Sequence, residues 1–289
     1  MRDPADSYDR RVTSRSRSIP RLSGVTDWLR SPGSQIAVVT DPRQRRAIGI
    51  EIAIVLLLTF GLSALSSLLS LIESQLRAGG IAGQRVALNE SVSTIGVIDA
   101  LSQLLSAVHL FAIAALAVYL LWRSEIPLSL LGIRRLRTRS EVPAGLTLAA
   151  LIGLPGLGLY VAARALNINA QVVPSDLTDT WWRLPVLLVS AVANAAAEEL
   201  LVVCWLITRL RQLDWRENRS LVAAAILRGG YHLYQGFGGG LGNVVMGLVY
   251  GRYFQRTARI WPLVIGHATI DCVAFIGYAL LKPHLGWLG

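Results

Sequence analysis

The sequence predicts an all-α fold, a polytopic membrane bundle of about seven transmembrane helices. Three observations lead there. The 289-residue chain is 53% hydrophobic and only 16% charged, where a soluble domain has ~25% charged residues, and its mean hydropathy is +0.49. A spanning helix needs ~20 mostly apolar residues, and apolar runs of that order recur along the chain. Arginines also collect in alternate connections between those runs, as a multipass topology requires.

Taken in order, residues 1–46 contain ten Arg against five Asp, with Ser and Pro interspersed. That composition predicts a disordered basic tail on the membrane surface. A short stretch, Val25–Leu29, is apolar enough to lie on lipid. Residues 47–142 hold the first two expected spans, about 48–72 and 100–122. Between Pro127 and Arg135, the run Ser129-Leu130-Leu131-Gly132 suggests an amphipathic surface helix. The remaining spans are expected at about 143–166, 184–208, 220–236, 240–255 and 260–281, making 143–281 the core, with 282–289 a tail. The fifth and sixth are short and Gly-rich. Trp181, Trp182, Trp261 and Trp287 fit interfacial belts.

The charge pattern gives an orientation. Arg123, Arg134, Arg135, Arg137 and Arg139 follow the second span. Arg209, Arg211, Arg216 and Arg219 follow the fourth, and Arg252, Arg256 and Arg259 the sixth. The alternate connections are poorer in Arg, and one holds Asp176 and Asp179. The positive-inside rule then places the N-terminus in the cytoplasm of a multipass cell-membrane protein, with an odd span count leaving the C-terminus outside. The net charge of +10 is almost all Arg, Lys282 being the single Lys. Because these residues sit at helix ends and in the tail, they indicate membrane lipids rather than nucleic acid as partner. Cys204 and Cys272 lie in apolar runs without metal or disulfide spacing and read as packing. His109, alone in the second span, reads as a satisfied structural group, and His284 as solvent-facing.

Three polar clusters interrupt the apolar runs. Glu198-Glu199 lies in the fourth span, Arg228 and His232 in the fifth, and His267 and Asp271 in the last. Charged groups in hydrocarbon cost several kcal/mol and mark functional cavities. Counted from the nearest cytoplasmic Arg, the clusters lie at roughly 12–20 Å of helical rise, a common depth. Arg228 and His232, and likewise His267 and Asp271, are four apart and share helix faces. Asn194 stands four before Glu198, in a run of small residues that favours close helix approach. Tyr231, Tyr234, Gln235 and Asn243 have spacing compatible with lining a cavity.

In sequence order, Ala197-Glu198-Glu199-Leu200-Leu201-Val202-Val203, Arg228-Gly229-Gly230-Tyr231-His232 and His267-Ala268-Thr269-Ile270-Asp271 resemble the CPBP family of intramembrane proteases. That family includes type II CAAX prenyl endopeptidases and Abi-type proteins. Its pattern is Glu-Glu with an Arg four later, then Phe-x-x-x-His, then His-x-x-x-Asn/Asp. The resemblance covers about 143–281, with two departures: Val203 replaces the family Arg, and Arg228 replaces the Phe. One hypothesis is that Arg228 takes over as counter-ion to Glu199.

The resemblance implies a catalytic cavity in which Glu198 activates water with help from His232, while His267 and Asp271 stabilise the oxyanion. Glu199 completes the catalytic set, and the substrate is a peptide or protein at the membrane, lipidated or not. A metal route is open beside it, with Zn2+ on Glu198, His232 and His267, although the HExxH spacing is absent. Two other readings compete: a proton- or cation-coupled transporter, and a non-catalytic scaffold or immunity-type relative.

Overall fold

A computed structural model describes residues 28, 30–33, 36–177 and 180–281. The Val25–Leu29 stretch apart from Trp28, most of the basic tail, Asp179, His284, Trp287 and the tail 282–289 lie outside the described residues. The chain divides into Met1–Pro32 and Gly33–Gly289, and all that follows concerns the second unit.

Helix α1 (Pro42–Leu58) starts at an Asp-Pro step: the Asp41 side chain accepts from the Gln44 N–H, and Pro42 fills a first-turn position that needs no donor. Pro42–Arg46, read with the tail, therefore belong to this helix. A 48° bend separates α1 from α2 (Phe60–Leu76). At the bend the Thr59 hydroxyl donates to the Val55 carbonyl at 2.6 Å, a back-bond that bends helices. Next come β1 (Arg85–Ala87), α3 (Gly96–Arg123), α4 (Thr138–Ala165) and β2 (Gln171–Val173). The strands pair in parallel, Arg85 opposite Gln171, a small exception to the all-α expectation. α5 (Arg183–Glu198) continues through a π-helical segment, Glu199–Trp205, into α6 (Leu206–Gln212). α7 (Glu217–Gly230), α8 (Phe237–Thr257) and α9 (Trp261–Leu281) complete the described residues.

Four of these elements are long and apolar enough to cross a membrane: α3, α4, the α5–α6 rod and α9. Counting the bent α1–α2 pair as one gives five. By length and composition alone, the described helices therefore do not reach the seven expected spans. α7 is only 14 residues long and stops at Gly230. α8 has the length, but glycines and Arg252, Gln255 and Arg256 dilute its apolar content. The protein is nonetheless a multipass membrane protein by these helices. Their outer faces expose Leu105, Leu151, Leu154 and Leu157, as lipid contact demands.

Two other expectations are corrected. The segment after Pro127 is a single 3-10 turn, Leu128–Leu131, with Leu131 buried, rather than an amphipathic helix. Trp182 is buried against Leu177, Val186, Leu187 and Phe275, and only its neighbour Trp181 is exposed. Cys204 is buried in the main core and Cys272 packs beside Trp182's cluster, both as free thiols.

Backbone proximity positions the core. A Cβ at Gly229 on α7 would stand 2.4 Å from Val244 Cγ2 on α8, and one at Gly247 would stand 2.8 Å from Ala225 Cα. A Cβ at Gly145 on α4 would stand 2.7 Å from Ile265 Cγ2 on α9. The small residues thus bring α7 onto α8 and α9 onto α4 at contact distance, which carries Arg228 and His267 into the interior beside α5.

Candidate active site

Glu198 and Glu199 stand at the junction where α5 gives way to the π segment. Such wide turns recur at functional sites. Both carboxylates are buried, Glu199 fully. They turn toward α7, where Arg228 is also fully buried. Its Nη2 donates to Glu198 Oε2 at 3.0 Å and to Glu199 Oε1 in a closer contact, and its Nε donates to Glu198 Oε2 at 3.3 Å. From α9, His267 places Nδ1 2.9 Å from Glu199 Oε1 and 3.3 Å from Arg228 Nη2. One guanidinium nitrogen therefore touches both carboxylates and one imidazole. Two adjacent buried carboxylates repel strongly, and a shared cation offsets that repulsion.

Tyr231 adds a fourth partner: its hydroxyl donates to Glu198 Oε2 at 2.7 Å. All of Glu198's side-chain hydrogen bonds among the described residues fall on Oε2, leaving Oε1 for a water. His232, half-buried, stacks on Tyr231 with ring centroids 4.7 Å apart. Its Nδ1 lies 2.9 Å from the Arg228 carbonyl. A carbonyl only accepts, so Nδ1 carries the proton and Nε2 keeps its lone pair in the neutral ring. Asp271 is set back, its Oδ2 3.6 Å from His267 Nε2 and 3.5 Å from the Asn194 amide.

The sequence-derived residues fall into two groups. Glu198, Glu199, Arg228 and His267 are in direct contact. His232 joins through Tyr231 and the Arg228 backbone, and Asp271 stands at the edge. Tyr231 is more central than its reading as a cavity-lining candidate suggested, and its place three residues after Arg228 was the available signal, since i and i+3 share a face. Asn194 reaches Asp271, not Glu198. His109 is not a satisfied interior group: it is exposed on α3 and makes no side-chain hydrogen bond to a described residue.

Among the described residues no three His, Cys, Asp or Glu side chains are grouped to hold an ion. The physical reason is Arg228, whose fixed positive charge stands where the carboxylates and His267 converge.

Val203, where the resembled family has Arg, is buried among Leu201, Val202 and Cys204 in the apolar core. The cation that contacts Glu198 and Glu199 is Arg228 on α7. Residues 180–273 match the family model described as Rce1-like, type II CAAX prenyl endopeptidase Rce1-like. This segment resembles that family. The resemblance read from the three motifs is thereby borne out for the part of the chain that carries them. No curated protein and no solved structure matches the chain. The Rce1-like match begins just before α5 and ends two residues past Asp271, so all the site residues named here fall inside it.

Proposed function

We propose that this protein is an intramembrane endopeptidase that hydrolyses a peptide bond in a membrane-associated peptide or protein, lipidated or not. The observation that carries the reading is the convergence of Glu198, Glu199, Arg228 and His267, from three separate helices, on one buried guanidinium. Packing alone needs no such grouping, and charges at this depth are expensive.

In this reading a water sits at Glu198 Oε1, within reach of the His232 Nε2 lone pair. Glu198 takes a proton from the water as its oxygen adds to the scissile carbonyl carbon. His267, with protons on both nitrogens between Glu199 and Asp271, donates from Nε2 to the developing oxyanion. The carbon–nitrogen bond then breaks, and Glu198 returns its proton to the leaving amine. Arg228 and Tyr231 fix the Glu198 carboxylate, and Glu199 fixes His267. No step in this scheme uses a metal. The proposal includes an N-terminus in the cytoplasm.

The test is cleavage of a library of membrane-anchored peptides, with and without lipid chains, by the purified full chain in vesicles. The expected result is cleavage by the parent and a loss of about 10²- to 10⁴-fold in Glu198→Gln and His232→Ala, the usual size of a general-base contribution. A strong chelator should leave the rate unchanged, and inhibition by it would restore the metal route. Ion flux without cleavage would support the transporter, and peptide binding without cleavage the scaffold.

A further inference from the structure

Seven buried side-chain atoms lack a hydrogen-bond partner among the described residues, and three of them belong to neighbouring side chains: Glu199 Oε2, Arg228 Nη1 and the Tyr250 hydroxyl, with Arg228 in contact with Glu199 and over the Tyr250 ring. Leaving a buried polar group unpaired costs about 1–3 kcal/mol, more for charged groups. Native interiors rarely tolerate three together.

Tyr250 lies on α8 and is fully buried. The Arg228 Cζ stands over its ring, 5.9 Å from the centroid. Its hydroxyl abuts α9, where a Cβ on Gly266 would meet it at 2.7 Å. Gly266 precedes His267, whose Nδ1 meets Glu199 Oε1. The guanidinium and the Glu199 carboxylate are joined through Nη2 and Oε1 only, so Nη1 and Oε2 are the spare corners of an incomplete fork.

We infer that Tyr250, Arg228 Nη1 and Glu199 Oε2 bind one sequestered water, and that Tyr250 is a positioning residue of the active site. The chemistry fits one molecule. Nη1 donates to the water oxygen, the water donates one proton to Oε2, and the Tyr250 hydroxyl exchanges a hydrogen bond with it. That gives three polar partners, the usual number for an interior water. This water is not the nucleophile of the proposed reaction, which belongs at Glu198 Oε1. Its effect is to lock the Glu199–Arg228 pair, and through that pair the orientation of His267 and Glu198. The glycine at 266 has a matching role, since any side chain there would displace the Tyr250 hydroxyl.

The inference about catalysis rests on the peptidase reading, whereas the water site does not, so the experiment reads both. A structure of the full chain at a resolution that reveals ordered water should contain a peak within hydrogen-bond distance of all three atoms. No peak there, or direct pairing of Nη1 with Oε2, would overturn the site. In peptide cleavage, Tyr250→Phe should lower kcat about tenfold and leave KM within twofold, at an unfolding temperature near the parent's. A purely structural tyrosine would shift the unfolding temperature without this split, and an unchanged kcat would overturn the positioning role. Should the parent cleave nothing, the peptidase reading fails while the density still decides the water.

Discussion

Removing the Arg228 guanidinium would leave Glu198 and Glu199 buried side by side with no fixed counter-charge between them. At about 3 Å and an effective dielectric of ~20, each ion pair is worth about 5 kcal/mol before desolvation is subtracted. Truncating one partner of a buried pair costs ~3–5 kcal/mol. Arg228→Ala should therefore lower the thermal unfolding temperature in detergent markedly and abolish cleavage. Arg228→Lys should recover stability only in part, because one ammonium on a single stem cannot reproduce the Nε and Nη2 contacts. An unfolding temperature unchanged in Arg228→Ala would refute the counter-ion role. Tyr231→Phe is the milder probe. It deletes a single hydroxyl bonded to Glu198 at 2.7 Å, and hydrogen bonds to charged groups contribute about 1.5–3 kcal/mol. Its kcat/KM should fall about ten- to a hundredfold with little change in fold, measured on the same peptides. At this scale much was legible in the sequence. Carboxylates, imidazoles and a guanidinium in apolar runs announce themselves, because lipid makes them costly. Tyr231 was legible only as a cavity-lining candidate and Tyr250 not at all, because a tyrosine in an apolar helix is ordinary filling until its hydroxyl's partner is known.

Helices reach the site only where glycine lets them approach. Gly229 follows Arg228 directly, and a methyl there would stand 2.4 Å from Val244 Cγ2 and 2.8 Å from the Gly240 carbonyl. Gly229→Ala must push α7 away from α8 or force a rotamer, at about 1–3 kcal/mol for overpacking. The displacement moves Arg228 with it. The expected outcome is a lower unfolding temperature together with lost activity. Adding Val244→Ala should restore part of both, since it removes the nearer obstacle. A Gly229→Ala variant with parental stability would show that the hairpin is looser than these distances imply. Elements were less legible than residues. The run 184–208 reads as one uninterrupted span, and nothing in its residue pattern marks the i→i+5 bonding of Glu199–Trp205. The α7–α8 hairpin is the least legible part, because α7 is short and α8 mixes glycines with Arg252, Gln255 and Arg256, so neither stands out as a span by length and apolar content.

Connections along the chain sort onto two ends of the bundle, and the arginines sort with them. At one end Trp261 Nε1 donates to the Arg134 carbonyl, Arg252 reaches Asn218, Arg45 reaches the Leu213 carbonyl, and Gly132 packs against Ala258 with a left-handed backbone (φ +72°). At the other end β1 pairs with β2, Asn169 bridges to Gly236, and Arg164 reaches the Ala82 carbonyl. The alternation of Arg-rich and Arg-poor connections is thus a spatial fact, legible in the sequence because it depends on connection order rather than on span count. Which end faces the cytoplasm is a separate question, and the proposed orientation, with the Arg-rich end inside, follows from the positive-inside rule. In a variant with Cys204→Ala and Cys272→Ala, a new cysteine at Ala78 should react with a membrane-impermeant maleimide in intact cells. One at Arg135 should react only after permeabilisation. Both positions are exposed, so access to water is not limiting. The reverse labelling would invert the protein. It would also turn the site over with it, because Glu198 lies about eleven residues, roughly 16 Å of helix, from the Arg209 end of its rod.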